Sequence, residues 1–175
     1  MNIGIIGLGF VGGALLKSFQ EKNMNCMIFD KYKQIGSLES CLSTEIVFLC
    51  LPTLFDSEKK IYDKTAISET CEFLTNNSYK GIVVIKSTVE PMTTENFSKY
   101  FPCLRLVHNP EFLTARTAYE DFHNQQHVVL GFPSNVSPEK NKEIIDFYTK
   151  YYPNAEISIC SSIESESMKI FCNSF

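Results

Sequence analysis

The chain has 175 residues, 44% hydrophobic and 21% charged, with a formal net charge of −4 at pH 7; a chain of this make-up buries its own core without a metal or disulfide staple. Arg105 and Arg116 are its only guanidinium groups, and the acidic balance argues against nucleic-acid binding, which needs clustered lysine and arginine. The seven cysteines are scattered and never spaced Cys-x-x-Cys, a poor fit to a zinc site or a secreted disulfide framework and a better one to a reducing, cytoplasmic compartment.

The first element is a β-branched run at residues 3–6, followed by apolar residues at helical spacing over 11–22. No basic leader or long apolar segment precedes or follows it, so neither signal peptide nor membrane span is expected. Further apolar runs of strand length lie at 26–29, 46–51, 82–85, 104–107, 128–130 and 156–159. Between them, amphipathic spacing predicts helices over 57–76, 93–100 and 138–151, the last with Ser137 as N-cap and Pro138 at its first position. A final helix is expected over 161–175. Strands alternating with helices predict a doubly wound, mostly parallel α/β sheet with helices on both faces.

Gly7-Leu8-Gly9-Phe10-Val11-Gly12 joins the first strand to the first helix. Glycines there allow a tight turn and a close approach of backbone to a pyrophosphate, which the helix amino terminus attracts. Asp30, at the end of the second strand, is placed to accept bonds from adenosine ribose hydroxyls, which favours NAD over NADP; Lys31 and Lys33 beside it weaken that preference without reversing it. Pro52 and Thr53 end the third main strand. They read equally well as a strand terminator or as contacts to the nicotinamide half. Lys86-Ser87-Thr88-Val89 follows the fourth; Ser87 and Thr88 fit either helix capping or contact with cofactor, water or substrate.

His108-Asn109-Pro110-Glu111-Phe112-Leu113 follows the next strand. A carboxylate there points into the crevice where open α/β sheets bind ligands, and an acid among Pro, Phe and Leu is costly unless paired or used. Capping of a following helix is the plainer account of Glu111. Near the carboxyl end, Lys169 and Asn173 lie four apart on one helical face, with Glu166 three before Lys169. A solvated Glu–Lys pair and a lysine aimed at a reacting oxygen both fit. No metal-ligand spacing is present.

Taken in order, these residues resemble the amino-terminal, NAD-binding half of the UDP-glucose/GDP-mannose dehydrogenase family. The matching pieces are Gly7-x-Gly9-x-x-Gly12, Asp30, Pro52-Thr53, Lys86-Ser87-Thr88-Val89, Asn109-Pro110-Glu111-Phe112-Leu113, Ala118-Tyr119-Glu120-Asp121-Phe122 and Glu166-x-x-Lys169-x-x-x-Asn173. The resemblance implies a Rossmann domain over residues 1–160, with 161–175 starting a helix that leads into a central domain. It implies NAD as cofactor, held by Gly7, Gly9, Phe10, Val11, Gly12, Asp30, Lys31, Pro52, Thr53, Ser87 and Thr88. It also implies two-step oxidation of a sugar-nucleotide C6 alcohol, as in UDP-glucose, to a carboxylate through a thiohemiacetal and a thioester on a cysteine. Glu111 would assist thioester hydrolysis, Thr88 would hold the water, and Lys169 and Asn173 would stabilise oxyanions at C6.

Several departures accompany these matches. The family's nucleophilic cysteine lies downstream of the lysine helix in a glycine-rich motif absent here, so none of the seven cysteines is assigned that role. The chain is therefore expected to be incomplete for catalysis, acting on a sugar nucleotide only when completed by a carboxyl-terminal portion. A homodimer is allowed; a membrane partner is not expected. Only about 16 residues separate Asp30 from Ile46 where the family carries a longer helical insertion. Thr114-Ala115 and His127 replace an acid and an arginine usual in the family. Two other accounts stay open: a β-hydroxyacid dehydrogenase-type NAD-binding domain, and a non-catalytic nucleotide-binding module.

Overall fold

The computed structural model describes residues 1–173, Asn173 through its backbone alone. The chain runs β1 (Asn2–Ile6), α1 (Phe10–Glu21), β2 (Asn25–Asp30), β3 (Ile35–Gly36), a 3-10 turn (Glu39–Ser43), and β4 (Ile46–Leu49). It continues through β5 (Phe55–Asp56), β6 (Ile61–Tyr62), α2 (Thr65–Asn76), β7 (Ile82–Ile85), α3 (Thr93–Tyr100) and β8 (Arg105–His108). Last come α4 (Ala118–His123), β9 (His127–Phe132), a 3-10 turn (Pro138–Asn141), α5 (Lys142–Tyr151), β10 (Glu156–Ser161) and α6 (Ser162–Asn173).

One sheet, ordered β10-β9-β8-β7-β4-β1-β2-β3, organises the fold. Its pairings are parallel except β2 with β3 and the single His108–Gly131 bridge of β8 with β9. The central strands β4 and β7 are buried at every position, as expected where both faces are covered. One face packs Ile3, Ile5, Phe48 and Val84 against Leu15 and Phe19 of α1, Phe122 of α4 and Phe147 of α5. The other packs Ile6, Val47, Leu49 and Ile85 against Ile67, Cys71 and Leu74 of α2. Successive strand residues thus feed opposite cores, the period-2 consequence of the pleat.

β1 lies between β2 and β4. The chain winds outward from β1 to β2, then returns to add β4 on the other side. The carboxyl ends of β1 and β4 therefore open a crevice at the switch point, where doubly wound sheets bind ligands.

The doubly wound, mostly parallel sheet expected from the sequence is the one observed. Several boundaries shift by a residue or two, β3 and α4 were not among the expected elements, and two helix starts differ for a visible reason. The helix expected over 57–76 begins only at Thr65. Ahead of it, β5 and β6 form a hairpin, because Asp56 Oδ1 accepts the main-chain N–H groups of Glu58 and Lys59 (both 3.0 Å) and Lys60 takes φ 55°. An acceptor side chain that closes a turn competes with helix initiation. The helix expected over 138–151 starts as a 3-10 turn, and α5 proper begins at Lys142; the Asn141 side chain donates to Ser137 O (3.3 Å) and accepts from Arg105 Nε (3.3 Å), which holds that turn.

Candidate functional site

The loop after β1 is built by interlock. Gly7 has φ +92°, and a Cβ there would lie 2.3 Å from Cys50 O. A Cβ on Gly12 would lie 1.8 Å from Gly7 O. Only glycine permits these approaches of α1 to the loop and of the loop to β4. A Cβ on Gly9 would meet nothing within 4 Å, so the backbone there faces open space. Gly9 is also the N-cap of α1, which has no side-chain cap bond and no acidic residue in its first turn. The positive end of that helix is left available to an anion.

Asp30 closes the other side of the crevice. Its Oδ2 accepts from Leu8 N (2.7 Å) and its Oδ1 from Tyr32 N (3.0 Å) and Lys33 N (2.8 Å). Burial alone would raise its pKa, but the N–H groups of Leu8, Lys33 and Tyr32, with the Lys33 charge, hold it below the usual carboxylate range. Lys33 Nζ donates to Leu8 O (2.5 Å), tying the β2 end to the glycine loop. A carboxylate has about four acceptor positions, so the bound backbone leaves room for a hydroxyl donor.

Between these walls lies a cleft of about 920 Å³, lined by Gly7, Gly9, Phe10, Val11, Asp30, Lys31 and Pro52, with α2 residues Thr65, Ala66, Glu69 and Thr70 opposite. Its volume lies in the range that takes small-molecule ligands and cofactors. An uncapped helix terminus, a backbone face open at Gly9 and a fixed carboxylate at the far end fit a dinucleotide: pyrophosphate over Gly9, ribose hydroxyls at Asp30. Phe10, Tyr32 and Leu54, 74%, 84% and 77% exposed, offer apolar surface around its mouth.

A second hollow of about 210 Å³ shares Val11, Cys50 and Leu51 with the cleft and adds Thr53, Lys86, Ser87, Thr88, Glu111 and Lys169. Each comes from the loop after a neighbouring strand, or from α6. Lys86 and Glu111, 3% and 5% exposed, form a buried ion pair. Lys86 Nζ also donates to Asn109 Oδ1 (2.6 Å), which accepts from Tyr148 OH as well (2.5 Å), while Asn109 Nδ2 donates to Val129 O (2.8 Å). Lys169 Nζ donates to the main-chain oxygen of Glu111; burial pulls its ammonium below the ordinary lysine range. Cys50 lies on the same wall, and burial pushes its thiol up to about 12, so it stays protonated and poorly nucleophilic.

The flanking groups are structural. Ser87 Oγ donates to Leu51 O (2.7 Å) and accepts from Leu51 N (3.0 Å), joining the ends of β7 and β4. Thr53 Oγ1 donates to Thr88 O (2.6 Å). His108 Nδ1 meets Ser165 Oγ at 2.6 Å; burial, reinforced by the Lys86 and Lys169 charges, pushes its imidazole down to about 3. Glu166, fully buried, accepts from Thr94 N (2.7 Å) at the start of α3, and burial raises its carboxyl to about 7. The expected solvated Glu166–Lys169 pair is thus replaced by a cross-helix cap.

The structure brings Glu111, Thr88 and Lys169 together. Gly7, Gly9, Phe10, Val11, Asp30, Lys31 and Pro52 line the large cleft, whereas Thr53, Ser87 and Thr88 line the small hollow and Gly12 lies beneath the loop. Asn173 closes α6, and its side chain lies outside the described residues. Sequence reasoning gave no role to Lys86, Asn109 or Tyr148. Lys86 and Asn109 lie at the ends of different strands, and no local pattern joins them to a tyrosine on α5. Among the described residues, no group of His, Cys, Asp and Glu could hold a metal ion, and no helix is long and apolar enough to cross a membrane.

Residues 31–151 match the family model for the UDP-glucose/GDP-mannose dehydrogenase family, NAD binding domain. A UDP-glucose 6-dehydrogenase of Campylobacter jejuni is 24% identical across 100% of this chain and 52% of its own length. Among solved structures, a GDP-mannose dehydrogenase from Pseudomonas aeruginosa superposes with a TM-score of 0.83 at 19% identity, covering 99% of this chain and 49% of that one. A UDP-glucose dehydrogenase from Pyrobaculum islandicum superposes with a TM-score of 0.81 at 19% identity, covering 98% and 49%. The chain spans about half the length of these relatives.

Proposed function

Since this chain belongs to the UDP-glucose/GDP-mannose dehydrogenase family as its NAD binding domain, we propose that it is the cofactor-holding half of a nucleotide-sugar 6-dehydrogenase. The reaction is oxidation of a sugar C6 alcohol, as in UDP-glucose, to a carboxylate. The observation that carries this reading is the convergence of Glu111, Thr88 and Lys169 on a hollow that adjoins the nucleotide cleft. Bound NAD supplies the hydride acceptor. The Gly7–Gly12 loop and the start of α1 hold the pyrophosphate, Asp30 takes the adenosine ribose, and Pro52 and Thr53 border the nicotinamide half.

In the hollow, Glu111 is the base that draws a proton from water held at Thr88. Lys169, its charge destabilised by burial, offers a donor to oxygen that becomes negative at C6, and Asn173, one turn further along α6, is assigned the same role. Residues 1–160 act as the Rossmann unit and α6 as the start of the link to a central domain. The nucleophilic cysteine and the sugar-nucleotide-reading surface come from a carboxyl-terminal portion, so the chain alone binds cofactor without turnover. The cysteines among the described residues are free thiols, which supports a cytoplasmic setting, and a homodimer is compatible with it.

Thermal unfolding with NAD and with NADP tests the cofactor half. Stabilisation of about 2.7 kcal/mol is expected at a hundredfold excess of NAD over its dissociation constant, and less with NADP. No stabilisation by millimolar NAD refutes the reading. NADH formation from UDP-glucose, on adding a carboxyl-terminal fragment of a family member in trans, tests the catalytic half.

A further inference from the structure

The pairing of Lys86 with Glu111 is expensive by any measure of solvation. Taking two charges out of water costs several kcal/mol per ion, and apolar replacements of like volume are often as stable or more so. Lys86 is nevertheless fixed from several directions. Its main-chain N donates to Leu49 O (3.0 Å), and its ammonium is shared between Glu111 and Asn109. Asn109 cannot turn away, since its Oδ1 serves Lys86 and the Tyr148 hydroxyl while its Nδ2 is bound to Val129 O. A cation is therefore delivered to one carboxylate by a lattice reaching from β7 through β8 to β9 and α5.

We infer that Lys86 is the positioning residue of Glu111, a buried counter-ion that keeps the carboxylate ionised and aimed into the small hollow. This inference rests on the reading of Glu111 as the base of the reaction. Without Lys86, a carboxyl only 5% exposed takes up a proton and becomes a hydrogen-bond donor, unable to draw a proton from water. Without Glu111, Lys86 loses the partner that opposes burial and the Lys169 charge, both of which pull its ammonium below the ordinary lysine range. Lys169 does not substitute, because its Nζ is on the main-chain oxygen of Glu111 and not on the carboxylate.

The test follows the titration of each partner in variants of the other. Infrared difference spectra, with Glu111→Gln identifying the band, report the Glu111 carboxyl. In Lys86→Met its protonated form is expected to persist to a pH higher by about one to three than in the wild type, and Lys86→Arg should return it toward the wild-type position. The reciprocal arm needs only Glu111→Gln, a near-isosteric change that remains informative where Lys86→Met does not fold. There the ¹³Cε resonance of Lys86 should titrate at lower pH than in the wild type. A residue that merely fills space moves neither titration. Unchanged Glu111 titration in folded Lys86→Met, or unchanged Lys86 titration in Glu111→Gln, overturns the inference. NAD-induced thermal stabilisation is read in parallel and should survive in Glu111→Gln. Its absence from the wild type would count against the dehydrogenase reading and leave the Lys86–Glu111 coupling standing.

Discussion

Gly9→Ala and Gly12→Ala add the same methyl group three residues apart, and the structure separates their consequences. At Gly12 the new Cβ would lie 1.8 Å from Gly7 O and 3.3 Å from Cys50 Cβ. The first contact is with backbone and cannot be relieved by a rotamer change, so α1 or the loop must shift. Overpacking of this kind costs about 1–3 kcal/mol or more, or a fall of roughly 2–12 °C in Tm for a chain of this size. At Gly9 nothing lies within 4 Å, and φ −71° with ψ −155° suits alanine. The expected stability cost is only the difference between N-cap residues, under about 1 kcal/mol. That open space is where the pyrophosphate is read to lie, so Gly9→Ala should abolish most of the NAD-induced gain, about 2.7 kcal/mol at a hundredfold excess over the wild-type dissociation constant. Thermal unfolding of both variants with and without NAD measures all of these quantities. A Gly9→Ala protein stabilised by NAD as strongly as the wild type would show that the loop does not hold the cofactor. A Gly12→Ala protein of undiminished Tm would refute the interlock.

Glu166 has its pKa raised from 4.5 to about 7, so the native state binds its proton more tightly than the unfolded chain. Its contribution is fully present below about pH 4.5 and is lost as pH rises through about 7, on the order of 3 kcal/mol at most. Urea unfolding at about pH 5 and about pH 8 should show a smaller difference in Glu166→Gln than in the wild type; equal differences would remove Glu166 as the cause. Phe19 is fully buried against Phe48, Phe122 and Phe147, at centroid distances of 5.3, 5.8 and 5.6 Å. Phe19→Ala should cost about 3–5 kcal/mol by urea unfolding, and a loss below 1 kcal/mol would contradict the packing. Iodoacetamide on the native protein should modify Cys103 and Cys172, both exposed. It should spare Cys71 and Cys50, whose thiols burial pushes up to about 12; mass spectrometry of tryptic peptides reads the pattern.

The central strands of the sheet were legible because they are short apolar runs with both faces buried, and such runs stand out in any sequence. Residues 82–85 are recovered to the residue as β7. The glycine loop was legible for a different reason: its constraints are local, Gly7 answering to backbone one strand over and Gly12 to backbone a few residues away. The hairpin at β5 and β6 was missed because its flanks carry helix-compatible spacing and the deciding contact is one side chain, Asp56, on its own turn. The charged hollow was half legible. Glu111 and Lys169 carry the motif, but the partner of Glu111 is a lysine from a different strand, and Asn109 is fixed by a tyrosine 39 positions away. Periodicity signals which face a residue takes. It is silent on which polar groups meet once the faces are assembled.

The network around Asn109 also orders events in time. Residues that line the nucleotide cleft run from Ile6 to Thr70, whereas the hollow needs Lys86, Glu111 and Lys169 and the Tyr148 hydroxyl that anchors Asn109. A ribosome delivers these residues in that sequence, and domains take shape as their parts emerge. The nucleotide cleft has all its lining residues early in synthesis. The reacting pocket waits for α5 and α6, so it comes into being after the nucleotide cleft.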